Sequence, residues 1–353
     1  MSIFSATSES LLISLISDLS PSEYGSLSQS ALLSATYLSS GVASFSSAFT
    51  PLGMVWRTAF QVFSAIGFFL VILMFFVLEE PKTKRLLSSN PLPKRSIIYT
   101  LLLSPVPLLI FSAAIREIAS FVTTAYMNSY LEQAYPNHVT PMKVSYGFIY
   151  LFFGSVSCIS GGYLAARYDH QKQVACYIAA FGALVASVLI FGVLYPPLSE
   201  METYQSLPLS LMSLALTVLT SEMWLGPILN LYIVLIGHDH KTLGISVFQA
   251  VIMILGSSGP EIVGILFSVF GRSLRSMAVV LGCLISGSYF ISAMAFIVVS
   301  FLVQRNVKNF NESRIITKAD KIKVTVVVIC LSAGMIALTI ISLRIRGPDS
   351  INP

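Results

Sequence analysis

Residues 101–130 read LLLSPVPLLIFSAAIREIASFVTTAYMNSY. The run is longer than the roughly 20 apolar residues that cross a bilayer. Only one basic and one acidic side chain interrupt it, Arg116 and Glu117, and they sit near its middle. A soluble helix with so little charge would need burial on every face. A spanning helix does not, because lipid is itself apolar.

Similar runs follow on both sides of this one. They are Leu27–Ala48, Trp56–Leu78, Val144–Arg167, Val174–Tyr195, Leu207–Ile236, Thr242–Phe270, Met277–Val303 and Val324–Leu343. Phe4–Leu19 is a shorter candidate that carries Glu9 and several serines. The 353 residues are 55% hydrophobic and only 10% charged, with a mean hydropathy of +0.81. Soluble domains are about one quarter charged. An ordinary soluble enzyme, a disordered chain and a nucleic-acid binder are therefore excluded, despite a pI near 9.0. The expected fold class is an all-α membrane protein with about 9–10 transmembrane helices.

The loops set the orientation. Lys82, Lys84, Arg85, Lys94 and Arg95 fall within Glu79–Arg95, and Arg305, Lys308, Arg314, Lys318, Lys321 and Lys323 within Gln304–Lys323. Arg167, Lys172 and Lys241 reach the same side if each run crosses once. The other side holds Arg57, Lys143, Arg272, Arg275, Arg344 and Arg346. Basic residues collect in cytoplasmic loops, so the first side is expected to be cytoplasmic. Asn311-Glu312-Ser313 matches a glycosylation sequon but lies on that side, where it would go unused.

Glu79–Arg95 is basic, contains Pro81, Pro91 and Pro93, and reads as a hinge between two helix bundles. The expected organisation is a partial N-terminal bundle over residues 1–78, the linker over 79–95 and a six-helix bundle over 96–303. A basic segment over 304–323 and an extra spanning helix over 324–343 complete it. An internal echo agrees with two related halves. Leu15-Ile16-Ser17-Asp18 leads through Gly25 to Ser39-Ser40-Gly41, and Leu235-Ile236-Gly237-His238 leads through Gly244 to Ser257-Ser258-Gly259.

Few side chains in the apolar runs could carry chemistry. An Arg at the bilayer centre costs about 2.5–3.5 kcal/mol on insertion scales, so such a residue normally faces a bundle interior or a wet cavity and pairs. Arg116 either attracts an anionic group, forms a structural ion pair or snorkels to an interface. Adjacent helix residues point about 100° apart, which makes Glu117 a poor partner. A carboxyl within a spanning run, Glu222, is a candidate proton carrier or a hydrogen-bonded helix contact. Pro208 and Gly226-Pro227 can kink the same run and free carbonyls to line a cavity. Tyr126, Asn128, Asn230 and Glu261 are polar groups suited either to cavity lining or to interhelical hydrogen bonds. Gly41, Gly154, Gly161, Gly162 and Gly256 are read as close-packing positions.

No cofactor or metal is expected. His238-Asp239-His240 has strand spacing in a short loop, and Cys158, Cys176, Cys283 and Cys330 form no CxxC pair. The apolar runs hold no nucleophile paired with a base, so an enzyme is not expected. The Ser-rich N-terminus lacks the basic region of a cleavable signal.

Three stretches resemble the major facilitator superfamily, and within it the spinster-like branch. The first is Ser14-Leu15-Ile16-Ser17-Asp18 with Pro21, then Tyr37-Leu38-Ser39-Ser40-Gly41, Trp56-Arg57-Thr58-Ala59-Phe60 and Glu79-Glu80-Pro81. The second is Arg116 with Tyr126 and Asn128, then Gly154 and Gly161-Gly162 to Arg167. The third is Glu222-Met223-Trp224-Leu225-Gly226-Pro227, then Gly256, Gly259-Pro260 and Gly264.

The resemblance spans about residues 11–303. It implies a two-bundle fold in which the first three helices are missing. It also implies alternating access to a midplane site, and a small organic or lysolipid-like solute. On this reading Arg116 would attract the solute's head group, and protons are the candidate coupling ion through Glu222. The partners are that solute and the lipid bilayer. The resemblance does not separate the plasma membrane from endolysosomal membranes. Two departures stand out. Gly162-Tyr163-Leu164-Ala165-Ala166-Arg167 carries Ala166 where the family has an aspartate, and no arginine lies near Gly25. A non-transporting regulatory or degenerate membrane protein is the alternative.

Overall fold

The computed structural model describes residues 3–20, 24–49, 56–77, 105–168, 171–199, 201–237 and 241–309. The hinge expected over 79–95, the His238-Asp239-His240 stretch, the sequon and the run Val324–Leu343 lie outside them. Residues 1–304 form one unit, and all side-chain contacts below fall within it.

The described residues are helical nearly throughout. In chain order the helices are α1 (Ile3–Leu19), α2 (Gly25–Phe49), α3 (Trp56–Val77) and α4 (Val106–Ala134). Next come α5 (Val139–Phe148) and α6 (Ser155–Arg167), joined by a π-helical turn, Ile149–Gly154. They are followed by α7 (Val174–Leu194), α8 (Thr203–Ser221), α9 (Leu225–Ile236), α10 (Lys241–Phe270) and α11 (Leu274–Asn309).

Among the described residues six segments have the length and apolarity of a span: Val106–Ala134, Pro136–Arg167, Val174–Leu198, Thr203–Ile236, Lys241–Phe270 and Leu274–Gln304. In lipid every backbone group must be satisfied within the protein, which selects helices for these runs. The protein is therefore a multi-pass integral membrane protein of all-α class. α1 to α3 are helical where the sequence suggested spans, but α1 has only 17 residues and α2 is rich in serine. Four of the α2 serines return their hydroxyls to their own helix. Ser34 donates to Ala31 O, Ser39 and Ser40 to Thr36 O, and Ser44 to Ser40 O. Each hydroxyl is thus satisfied without water.

Successive spans, with α5–α6 and α8–α9 each counted as one, alternate in direction, so their termini gather at two ends. At the end holding Arg167 and Lys241, α1 and α2 are tied to α9 and α10. Lys241 Nζ lies 2.7 Å from Asp18 Oδ1, Ser14 and Thr242 share a hydroxyl hydrogen bond of 2.8 Å, and Asn230 Nδ2 donates to Ser26 Oγ at 2.8 Å. We call this the basic end. At the other end the buried Tyr130 hydroxyl donates to Leu194 O at 2.6 Å, and Tyr135 and Ser210 hydroxyls meet at 3.1 Å.

The run Leu207–Ile236 is not one helix. α8 stops at Ser221, Glu222 caps it, and α9 starts at Leu225. Pro227 is the cause. It has no N–H, and its ring would clash with the carbonyl of Met223 in a continuous helix. In the first turn of a new helix the missing N–H costs nothing. Pro208, by contrast, lies inside α8.

A helix ending among apolar neighbours leaves its last carbonyls without partners. Here they find them. Val218 O accepts from Glu222 N, Leu219 O from the Ser157 hydroxyl at 2.6 Å, and Ser221 O from Arg116 Nη2 at 2.8 Å. Met223 O lies against Gly161, where an added Cβ would sit only 2.0 Å from it. Gly161 is thus a close-approach glycine, as the sequence suggested, and it seats α6 against the break.

Candidate functional site

The break between α8 and α9 carries the site. Arg116 stands about 15 Å along α4 from Val106 at 1.5 Å of rise per residue. That distance is half of a hydrocarbon core about 30 Å thick. Its residue is 1% exposed. The Arg116 Nη2 atom lies 2.6 Å from Glu222 Oε1. The neighbouring Glu117 is farther, with Oε1 at 3.7 Å from Nη1. The principal partner of Arg116 is thus the carboxylate from the α8–α9 break, as the poor geometry of adjacent residues implied.

Each member of the pair has further support. Arg116 also donates to Ser221 O, so the guanidinium meets the negative end of the α8 dipole as well as a carboxylate. Its guanidinium carbon lies 4.8 Å from the Trp224 ring centroid and 5.7 Å from that of Tyr289. Aromatic faces at that range attract a cation. Glu222 is 5% exposed and accepts from the Ser221 hydroxyl at 3.0 Å on Oε1 and from the Tyr37 hydroxyl at 2.5 Å on Oε2. Tyr37 comes from α2, so the cluster links α2, α4 and the α8–α9 break.

A buried ion pair survives only when its desolvation is offset by close geometry and further hydrogen bonds. The cluster meets the first and much of the second, since among the described residues Arg116 Nε and Trp224 Nε1 are the cluster atoms left without a hydrogen bond. Removing either partner would leave an uncompensated charge far from water. The pair also neutralises Arg116, so an anionic solute would have to compete with Glu222 for the guanidinium.

Above this cluster, toward the end opposite the basic one, a cavity of about 270 Å³ opens between α2, α4 and α5. Ser40, Ala43 and Ser44 line it from α2, Thr124 and Asn128 from α4, Lys143 and Tyr146 from α5, and Tyr150 from the π-helical turn. The Tyr146 and Tyr150 rings lie 4.8 Å apart between centroids. Glu132 Oε1 accepts from both Lys143 Nζ, at 2.8 Å, and Asn128 Nδ2, at 2.9 Å. Tyr37 precedes Ser40 by about one helical turn. Its ring packs on Gly154, where an added Cβ would lie 2.9 Å from it. The ion pair thus lies one turn beyond the cavity along α2 and about two turns beyond it along α4.

The candidates from the sequence separate by position. Arg116 and Glu222 meet. Asn128 reaches the cavity, half-buried. Tyr126 donates to Pro260 O at 3.1 Å and stacks edge-on against Phe267, so it braces α4 against α10. Asn230 bonds Ser26 at the basic end. Glu261 is exposed on α10. Sequence reasoning did not single out Tyr37, Ser221, Trp224 or Tyr289. Tyr37 and Trp224 stand inside two of the quoted motifs, and that was the available signal. Ser221 and Tyr289 carried none.

The model of the Major Facilitator Superfamily matches residues 1–260 of the chain. No curated protein matches it. Members of that superfamily are transporters rather than enzymes, and they move small solutes across lipid bilayers. A family match over most of the chain agrees with a helical membrane body that buries an ion pair in mid-span beside a polar cavity: the chain belongs to the Major Facilitator Superfamily.

Proposed function

We propose that the chain works as a secondary active transporter, moving a small organic or lipid-like solute by alternating access with protons as the coupling ion. The observation that carries this reading is the Arg116–Glu222 pair, buried in mid-span and tied to α2 through Tyr37. A proton on Glu222 removes its charge and releases Arg116. An acidic group of the solute can then take the guanidinium. Proton and solute thus each take one partner of the same pair, and the binding of one favours the binding of the other, which is what coupling requires.

Two further observations support alternating access. The cavity is lined by residues on the far side of the ion pair from the basic end, and that end is held by Lys241 with Asp18, Ser14 with Thr242, and Asn230 with Ser26. Opening that end means breaking these contacts between α1–α2 and α9–α10. On this reading α1–α3 belong to one bundle and α4–α11 to the other, and residues 79–95 form the hinge. The spinster-like resemblance points to lysophospholipids, sphingoid molecules or other organic solutes, and of these the ones with an acidic head group fit Arg116.

The test is uptake into proteoliposomes under an imposed pH gradient, with a radiolabelled panel of lysophospholipids, sphingoid bases and small organic acids. At least one should accumulate with the gradient and lose that dependence in Glu222→Gln. Uptake that ignores the gradient in the wild type, or no uptake of any member, refutes the reading.

A further inference from the structure

Tyr37 stands where three elements meet. Its ring packs on Gly154 at the end of the π-helical turn, its backbone belongs to α2, and its hydroxyl reaches the carboxylate of the α8–α9 break. A tyrosine in a helical core commonly satisfies its hydroxyl on the nearest carbonyl oxygen. Tyr130 and Tyr126 do that, on the carbonyls of Leu194 and Pro260. Those bonds keep their strength whatever the pH. The Tyr37 bond does not. A hydrogen bond to an ionised acceptor is about twice as strong as a neutral one.

We propose that Tyr37 is a positioning residue that reads the charge of Glu222. It ties α2 to the α8–α9 break while Glu222 is ionised, and it lets the two part when Glu222 takes a proton. The proposal rests on the reading of Glu222 as the coupling group and adds how its protonation reaches the N-terminal helices.

Other groups also face Glu222. Arg116 does so from α4, Tyr150 from the π-helical turn, Cys158 from α6 and Tyr289 from α11, while Glu117 reaches the Arg116 guanidinium. Cys158 spends its thiol on Ser30 O. Glu117 is the other carboxylate in reach. Tyr37 is the group among these that belongs to α1–α3.

The sequence supplies a reporter. The chain has two tryptophans, Trp56 and Trp224. Trp56→Phe leaves Trp224, whose ring lies 4.8 Å from the Arg116 guanidinium carbon. Its emission, titrated with acid in the purified full chain, reads the state of the pair without a solute. Tyr37→Phe keeps the ring and removes one donor to the carboxylate. The ionised form is then held less well, so the emission change should come at higher pH than in the wild type. Glu117→Gln should leave the midpoint in place to within a few tenths of a unit. Glu222→Gln should abolish the titration. Glu222→Gln combined with Arg116→Met serves where the single variant does not fold.

Amide protection of α2, corrected for the intrinsic pH dependence of exchange, should fall through the same midpoint. In Tyr37→Phe it should already be low above it. A Tyr37→Phe midpoint equal to wild type, or α2 protection indifferent to the titration, overturns the role of Tyr37 and leaves Glu222 as the coupling group. A titration that survives in Glu222→Gln, or none at all in the wild type, overturns both.

Discussion

The buried pair makes a quantitative prediction. Arg116→Met and Glu222→Gln each leave one charge without its partner. The side chains are 2% and 6% exposed, so solvent does not screen the loss. Breaking a buried pair from one side costs about 3–5 kcal/mol, whereas replacing both partners is far cheaper. The two single variants are not equivalent. Arginine cannot shed its proton inside a protein, while a carboxylate can take one up. Glu222→Gln should therefore be the costlier change at neutral pH.

The double variant should not return fully to wild type. It strands Ser221 O, which loses the Arg116 donor, at about 1–3 kcal/mol. A double-mutant cycle by denaturant unfolding in detergent measures all four states, and the coupling energy should be at least about 2 kcal/mol. Additive single costs, each below about 1 kcal/mol, would refute the claim that these charges neutralise one another in the folded protein.

Three more outcomes follow from the packing. Gly161→Val drives a side chain into the Met223 carbonyl, with the Cβ alone 2.0 Å away, and should cost at least about 1–3 kcal/mol, read as a lowered unfolding midpoint. Tyr130→Phe removes a buried hydroxyl from Leu194 O and should cost about 1–2 kcal/mol in the same assay, with no change in the pH midpoint of Trp224 emission. Asp18→Asn leaves the Lys241 ammonium, whose side chain is only 4% exposed, without its carboxylate, so its stability cost should reach about 1–3 kcal/mol. That variant should also speed thiol labelling of Asn230→Cys at the basic end, and an unchanged rate would show that Asp18 does not help hold that end closed.

Much of the architecture was legible beforehand because the membrane simplifies the problem. A run such as Val174–Leu194, with no charged residue, has only the helix available to it in lipid. The serine content of α2 was harder to read. Serine lowers hydropathy, yet Ser34, Ser40 and Ser44 cancel much of their polarity against local carbonyls. The break after Ser221 was half legible. Gly226-Pro227 signalled a disturbance, but its place depends on the carbonyl that Pro227 would strike, four residues back.

Part of the site could be read from cost alone. Arg116 and Glu222 stood out because charge in an apolar run is expensive wherever the run packs. Tyr126, Asn128, Asn230 and Glu261 looked alike in the sequence, since each is a polar residue in an apolar stretch. Packing separated them. Asn128 turned to the cavity, Tyr126 to the Pro260 carbonyl, Asn230 to the basic end and Glu261 to an exposed face of α10. Tyr37 looked like any half-apolar aromatic in a serine-rich helix, because a hydroxyl has no intramembrane cost large enough to flag it.

The sequence by itself determined that this is a helical membrane protein, where its helices run and which charges lie inside them. Those properties follow from local composition, because lipid demands that each segment satisfy its own backbone. Only the tertiary structure decided which charges meet. Arg116 had Glu117 beside it in the chain and Glu222 far along it, and it took the distant one at 2.6 Å. The reason is geometric. Neighbours on a helix point apart, whereas the α8 terminus, seated against Gly161, offers Arg116 a carboxylate and a free carbonyl together. No local pattern encodes that distance, because it depends on how closely separate helices approach.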